Sequence, residues 1–282
     1  MAKGNLLLGT AGNSVGDVVM YRREGAQVSR VRVRKVKNPK TAAQSTQRAF
    51  FAPVAKFYSP LSIVLERSYE GLSKSKSYSK FLKTNVDLAR QNGWLLPKGT
   101  GFFPLPYKLS HGSIPVINGI WNSGDSSLKL ENIPMDNPPS SIGAISAGFI
   151  AAGYKEGDVV TLIAISGDNQ LTNLNFVPFS AQFVVDSNSV VDPSAVLGNL
   201  SLAVNSNTLS IKLKTGSCVA AAVIVARYQN DVWRRSTQNL VVDPAIITAI
   251  AATNFKAAAI ASYGATNTGD NPLVYLDGEE LV

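Results

Sequence analysis

The chain has 282 residues, 45% of them hydrophobic and only 16% charged, with a formal net charge of +8. That balance supplies a sizeable core, excludes a chain disordered by composition, and leaves room for about two domains at ~100–200 residues each. One cysteine, Cys218, and one histidine, His111, exclude an intrachain disulfide and a metal site of the usual Cys and His kind.

In chain order, Leu6–Leu8 is too short an apolar run for a secretory leader, so none is expected. Asp17–Arg23 (DVVMYRR) and Gln27–Lys37 (QVSRVRVRKVK) read as strands joined by a turn at Glu24-Gly25-Ala26. Arg30, Arg32 and Arg34 fall at period two in the second run, so a strand places all three on one face. Asn38-Pro39-Lys40-Thr41 then turns into a helix capped by Thr41 and Gln44, which Pro53 is expected to kink or end. Ser59-Pro60 predicts a new helix through about Arg67 that buries Leu61, Val64 and Leu65. A further helix over about Ser77–Gln91 has Tyr78, Phe81, Leu82, Val86 and Ala89 at core-facing spacing, with Gly93 as its stop.

Residues 94–116, rich in aromatics and proline, read as a linker that packs. From about Lys108 to Asp243 the pattern is one of short strands: Ser127–Glu131, Ile142–Phe149, Asp158–Ser166, Ala181–Asp186, Ser201–Val204, Thr208–Lys214, Val219–Tyr228 and Asn239–Val242. Such spacing argues for an antiparallel β-sandwich with the nearly all-apolar Val219–Ala226 as a central strand. Asp243-Pro244 opens an alanine-rich helix to about Tyr263, stopped by Gly264, and residues 265–282 form an acidic tail. The longest apolar runs, Val219–Ala226 and Ala245–Ala252, fall well short of the ~20 residues that span a bilayer, so no membrane span is expected. The expected class is α+β: a basic module of hairpin and helices (1–100), a β-sandwich (101–243), a C-terminal helix (244–264) and a tail (265–282).

Catalytic patterns are sparse. Gly12-Asn13-Ser14-Val15-Gly16 matches the Gly-x-Ser-x-Gly nucleophile elbow, but it precedes a strand in a chain with no α/β alternation, so it reads as a Gly-rich turn. Neither a Walker-type loop nor a dinucleotide-binding glycine pattern occurs, so no cofactor is expected. Asp158, Asp168, Asp186 and Asp192 sit in turn-like contexts, and His111 beside Gly112 and Ser113 reads as a loop or strand-edge hydrogen bonder. The chain is therefore expected not to be an enzyme.

The positive signal is charge. Residues 1–100 hold 18 Lys and Arg against 5 Asp and Glu, whereas residues 101–282 hold 9 against 14. Arg22, Arg23, Arg30, Arg32, Arg34, Lys35, Lys37, Lys40 and Arg48 form the cluster that would contact either nucleic acid or a neighbouring subunit. No base-reading motif accompanies it, so contact with nucleic acid is expected to be sequence-independent. A solvated basic face is the bland alternative, and Trp121 and Trp233 offer a third reading as a carbohydrate-stacking platform.

The segments GNSVGDVVMY (Gly12–Tyr21), QVSRVRVR (Gln27–Arg34) and NPKTAAQSTQRAF (Asn38–Phe50) resemble the start of a family of uncharacterised phage and prophage proteins. Ser68–Asn85 is similar to the helical region that follows in members from small gut bacteriophages, and Val223–Val242, with Arg227 and Trp233, to the last hairpin of an immunoglobulin-like β region. The likeness is strongest over residues 1–90 and does not extend to 244–282. It departs from the pattern at Asn13-Ser14, where many members carry a basic residue. It supplies no catalytic residues. The resemblance implies a virion structural protein, present in the host cytoplasm during assembly. Its partners would be phage DNA, bound non-specifically, and other virion proteins, itself included as a homo-oligomer. The rival is a ring, scaffold or decoration protein that assembles without nucleic acid.

Overall fold

A computed structural model describes residues 3–5, 10–15, 17–23, 26–32, 41–99, 101–135, 137–168, 175–205, 207–252 and 255–263. The chain divides into two compact units between Pro39 and Lys40. The first is an antiparallel meander of β1 (Lys3–Asn5), β2 (Thr10–Val15), β3 (Val18–Arg23) and β4 (Ala26–Val31) in the order β1-β2-β3-β4. Its longest pairing runs from Val18 opposite Val31 to Arg23 opposite Ala26, which sets Val19 against Arg30 and Tyr21 against Val28 on one face. The Glu24-Gly25 turn lies outside the described residues.

The second unit begins with α1 (Ala42–Tyr58), whose first turn is capped by the Thr41 hydroxyl accepting from the Gln44 N–H at 3.3 Å. Pro53 does not end this helix, which continues to Tyr58. The proline removes one backbone hydrogen bond, but buried Ala49, Phe50, Val54 and Phe57 on either side of it hold the helix in place. The helix expected over 59–67 is instead a 3-10 turn (Ser59–Leu61) followed by further turns, with Arg67 at φ 52. Leu61 and Leu65 are nonetheless buried as the spacing requires. α2 (Lys74–Gln91) buries Phe81, Leu82, Val86 and Ala89. It stops at Gly93 (φ +66), a left-handed conformation that glycine adopts without strain, and the Trp94 N–H then returns to the Ala89 carbonyl at 2.9 Å.

The proline-rich stretch after α2 does pack, burying Leu95, Leu96, Phe102, Phe103, Leu105 and Tyr107. Phe57 is its anchor, with ring centroids 5.3 Å from Phe102 and 4.5 Å from Tyr107. Beyond it come β5 (Lys108–Ser110), β6 (Gly119–Asn122), β7 (Ser127–Pro134), α3 (Ile142–Ala151), β8 (Val159–Ser166), β9 (Val177–Val184) and α4 (Pro193–Leu197). The chain continues through β10 (Leu200–Asn205), β11 (Thr208–Leu213), β12 (Cys218–Gln229), β13 (Val232–Arg235), β14 (Gln238–Asn239) and β15 (Val241–Val242) to α5 (Pro244–Ala252) and α6 (Lys256–Ser262).

Two antiparallel sheets organise this unit, one in the order β10-β11-β7-β6 and one in the order β13-β12-β8-β9, with β15 also paired to β12. They face each other across a core of Leu128, Leu130, Ile211, Leu162, Val223 and Phe183. The opposite face of the second sheet (Ile163, Ile165, Ala222, Ile224) packs into a separate core with Phe50, Phe57, Phe81 and Ile246. Helices, sheet and sheet thus form three layers. The middle layer is buried on both faces, which explains why β8 and β12 read as continuous apolar runs rather than alternating ones. The α+β class is observed. A helical layer covers the outer face of one of the two sheets.

The three-layer arrangement also removes a boundary near residue 100, because α1 and α2 share one core with β8 and β12. Ile142–Phe149, expected as a strand, is helix α3, opened by the Ser141 hydroxyl accepting from the Ala144 N–H at 3.2 Å. Ile142, Ile145 and Phe149 are buried at helical spacing, and Gly148 lets the helix approach the β7 backbone near Pro134. The expected C-terminal helix begins as predicted, with the Asp243 carboxylate accepting from the Ala245 N–H at 3.0 Å, but it is divided into α5 and α6. Gly264 and the tail lie outside the described residues.

Candidate polyanion-contact surface

Arg30 and Arg32 are both exposed, Arg30 within β4 and Arg32 just beyond its end. Strand periodicity puts them on one side of the first unit's sheet, and the Arg32 N–H extends the pairing to the Asp17 carbonyl at 2.5 Å. The Arg30 guanidinium lies 5.8 Å from the centroid of the Tyr21 ring, its diagonal neighbour across the strands. Stacking on that ring orients the cation. Val31, on the opposite face, is 74% exposed, and Val18 and Tyr21 are also exposed.

Arg22 and Arg23 belong to β3, paired with Gln27 and Ala26. Arg34, Lys35, Lys37 and Lys40 lie outside the described residues. Arg48 stands half-buried on α1 in the second unit, so it does not belong to the compact unit that holds Arg30 and Arg32.

Ser14 of the Gly-x-Ser-x-Gly pattern lies in β2 opposite Val19, within a strand-to-strand hairpin rather than a strand-to-helix elbow. Cys218 is buried, and burial pushes its thiol up to about 12. His111 forms a parallel bridge with Tyr69, and its Nδ1 is 3.3 Å from the Thr237 hydroxyl, a strand-edge role. Among the described residues no group of three or more His, Cys, Asp and Glu could hold a metal ion, and no helix is long and apolar enough to cross a membrane.

Two polar constellations were not anticipated from the sequence. Asp158, fully buried, accepts from Nε and a terminal nitrogen of Arg227, both at 2.7 Å, in a bidentate pair. Its backbone joins the turn before β8 to the end of β9 through the Val185 N–H at 2.7 Å. Glu70 accepts from the Ser113 N–H at 2.8 Å, the Ser113 hydroxyl at 2.9 Å and the Arg235 N–H at 3.4 Å, tying three chain segments together. Burial raises the Glu70 carboxyl, but those bonds and the Arg234 charge outweigh it and hold the group below the ordinary glutamate value. Both groupings are assembled from residues far apart in sequence, so no local spacing announces them. Trp121 packs on the inter-sheet core and Trp233 stands on the β12–β13 hairpin against Tyr228, so the two do not pack as one platform.

Comparison with protein-family models, with curated proteins and with solved structures finds no match to this chain.

Proposed function

We propose that this chain is a structural protein of a bacteriophage particle, without catalytic activity. Its N-terminal sheet contacts packaged nucleic acid non-specifically, and its three-layer body contacts other virion proteins. The observation that carries this reading is the pair Arg30 and Arg32, exposed on one side of a sheet that forms a compact unit of its own. A row of guanidinium groups at strand spacing follows a phosphate backbone without reading bases, and each phosphate neutralised releases a counterion. The likeness of residues 12–50 to phage and prophage proteins supports the same assignment.

Purified protein is expected to retard duplex DNA on a gel at low salt and to release it by a few hundred millimolar, on the order of the losses known for phosphate contacts. An Arg30/Arg32/Arg34→Ala variant that binds unchanged would overturn the site.

A second reading is favoured by Val18, Tyr21 and Val31, whose exposure on the same sheet suits a protein contact. In it the sheet is a subunit interface of a ring, scaffold or decoration protein that assembles without nucleic acid. Light scattering before and after nuclease treatment separates the two, since a nuclease-resistant, salt-stable oligomer supports the second.

A further inference from the structure

The β12–β13 hairpin carries side chains that the N-terminal contact leaves unused. Its turn is tight, with Asn230 at φ 54 and Asp231 at φ 58, the backbone of a two-residue turn matched to strand twist. Tyr228 therefore sits directly opposite Trp233, with ring centroids 5.2 Å apart and planes tilted by 48°, and the two residues are 58% and 37% exposed. Two large aromatics held in the open on a rigid turn lose little conformational freedom when a planar partner settles on them.

Arg235 stands beside them on the same face of the strand, its guanidinium 5.4 Å from the centroid of the Trp233 ring. One terminal nitrogen donates to the Glu66 carbonyl at 3.5 Å, while its buried Nε has no partner among the described residues. The nearby carboxylates are occupied. Glu66 pairs with Lys74 at 3.0 Å, and Glu70 accepts from Ser113 and from the backbone of Arg235. Burial and the neighbouring Arg67 charge both push the Arg235 guanidinium below the ordinary arginine value. Arg67 is exposed and holds a positive φ of 52, outside the usual range for a side chain of its size. The Glu66 carbonyl that Arg235 reaches adjoins Arg67, so a second cation stands in the chain next to that contact, and a bound anion would compensate both.

From this geometry we infer that the hairpin is a second nucleic-acid contact, for a single-stranded segment: a base stacks against one ring of the tilted Tyr228–Trp233 pair while the adjoining phosphate is held by Arg235 and Arg67. Stacking requires an unpaired base with a free face, which a duplex does not present, and aromatic rings interleaved with arginine serve both parts of a nucleotide. The Asp231 carboxylate, which accepts from the Tyr228 hydroxyl at 3.2 Å, makes the turn end unfavourable for a phosphate. The base therefore lies toward the turn and the phosphate toward Arg235. A neutral sugar would use the rings but leave the two arginines uncompensated.

The test titrates the full chain with an oligothymidylate of about ten nucleotides and reads tryptophan fluorescence. Salt is set to ~0.3 M, where contacts made through phosphate alone fade. Quenching is expected in the parent protein and, undiminished, in an Arg30→Ala/Arg32→Ala variant, which separates this contact from that of the N-terminal sheet. Tyr228→Ala and Arg67→Ala, both at exposed positions and checked for native circular dichroism, should each weaken binding about tenfold. Trp233→Phe should remove most of the quenching while retaining binding measured by anisotropy of a labelled oligonucleotide. Absence of quenching in the folded parent, affinity unmoved by both alanine variants, or equal quenching by a neutral oligosaccharide would each overturn the assignment.

Discussion

The two antiparallel sheets built around β3–β4 and β8–β12 draw on the same β-branched residues and put them to opposite ends. In the body, Ile163 and Ile165 face helices while Val160 and Leu162 face a second sheet, and none of the four has measurable exposure. In the N-terminal sheet, Val18 and Val31 are paired with each other and both remain exposed. A strand is held by what covers its faces more than by its propensity. The body's strands thus bury both faces, whereas Val18 and Val31 on the N-terminal strands bury little.

Core truncation should distinguish the two sheets by the largest margin. Phe57→Ala or Phe149→Ala empties a fully buried site and should cost about 3–5 kcal/mol in chemical denaturation, whereas Val31→Ala should stay within about 0.5 kcal/mol. A large loss at Val31 would mean that its face is covered. Next in size, Asp158→Ala leaves Arg227 without its bidentate partner at the turn that enters β8. Breaking a buried pair costs about 3–5 kcal/mol, and because Arg227 keeps some access to water about 2–3 kcal/mol is expected here.

The body should also dominate the response to acid. A carboxyl held below its ordinary value, as Glu70 is, contributes stability that is fully present above the unfolded value and is lost as pH falls through the folded one. Stability of the parent should therefore fall on acidification below about 4.5, and Glu70→Gln should flatten that limb. A smaller effect sharpens the contrast at Cys218, whose buried thiol, raised to about 12, should react with a thiol reagent at mildly alkaline pH only as fast as the body opens. Substitutions at Arg30 or Arg32 should leave that rate unchanged.

Much of the body was legible because its strongest elements announce themselves locally. The helical spacing of Phe81, Leu82, Val86 and Ala89 located α2, the run Val219–Ala226 located β12, and Asp243-Pro244 located the start of α5. Ile142–Phe149 failed because the positions its helix exposes, Ala144 and Ala147, are apolar too, so the run shows no helical period. The informative signal was Ser141 after two prolines, a helix start rather than a strand start. The helical layer over β8 and β12 was hidden for a different reason. An amphipathic helix tells that it packs, not against what, so α1 and α2 looked like partners of the basic strands rather than of a sheet more than 60 residues away. Of the candidate surface, the placing of Arg30 and Arg32 on one side followed from period two alone. The Glu70–Ser113–Arg235 junction and the Arg67–Arg235 pair did not, because tertiary packing alone brings them together.

The central claim is that the basic side of the N-terminal sheet tracks a phosphate backbone, and the salt dependence of duplex DNA binding tests it most directly. The slope of log affinity against log salt should be steep for the parent chain and shallower by about three for Arg30/Arg32/Arg34→Ala, roughly one for each phosphate contact removed. An unchanged slope in that variant, with its fold intact, would contradict the account.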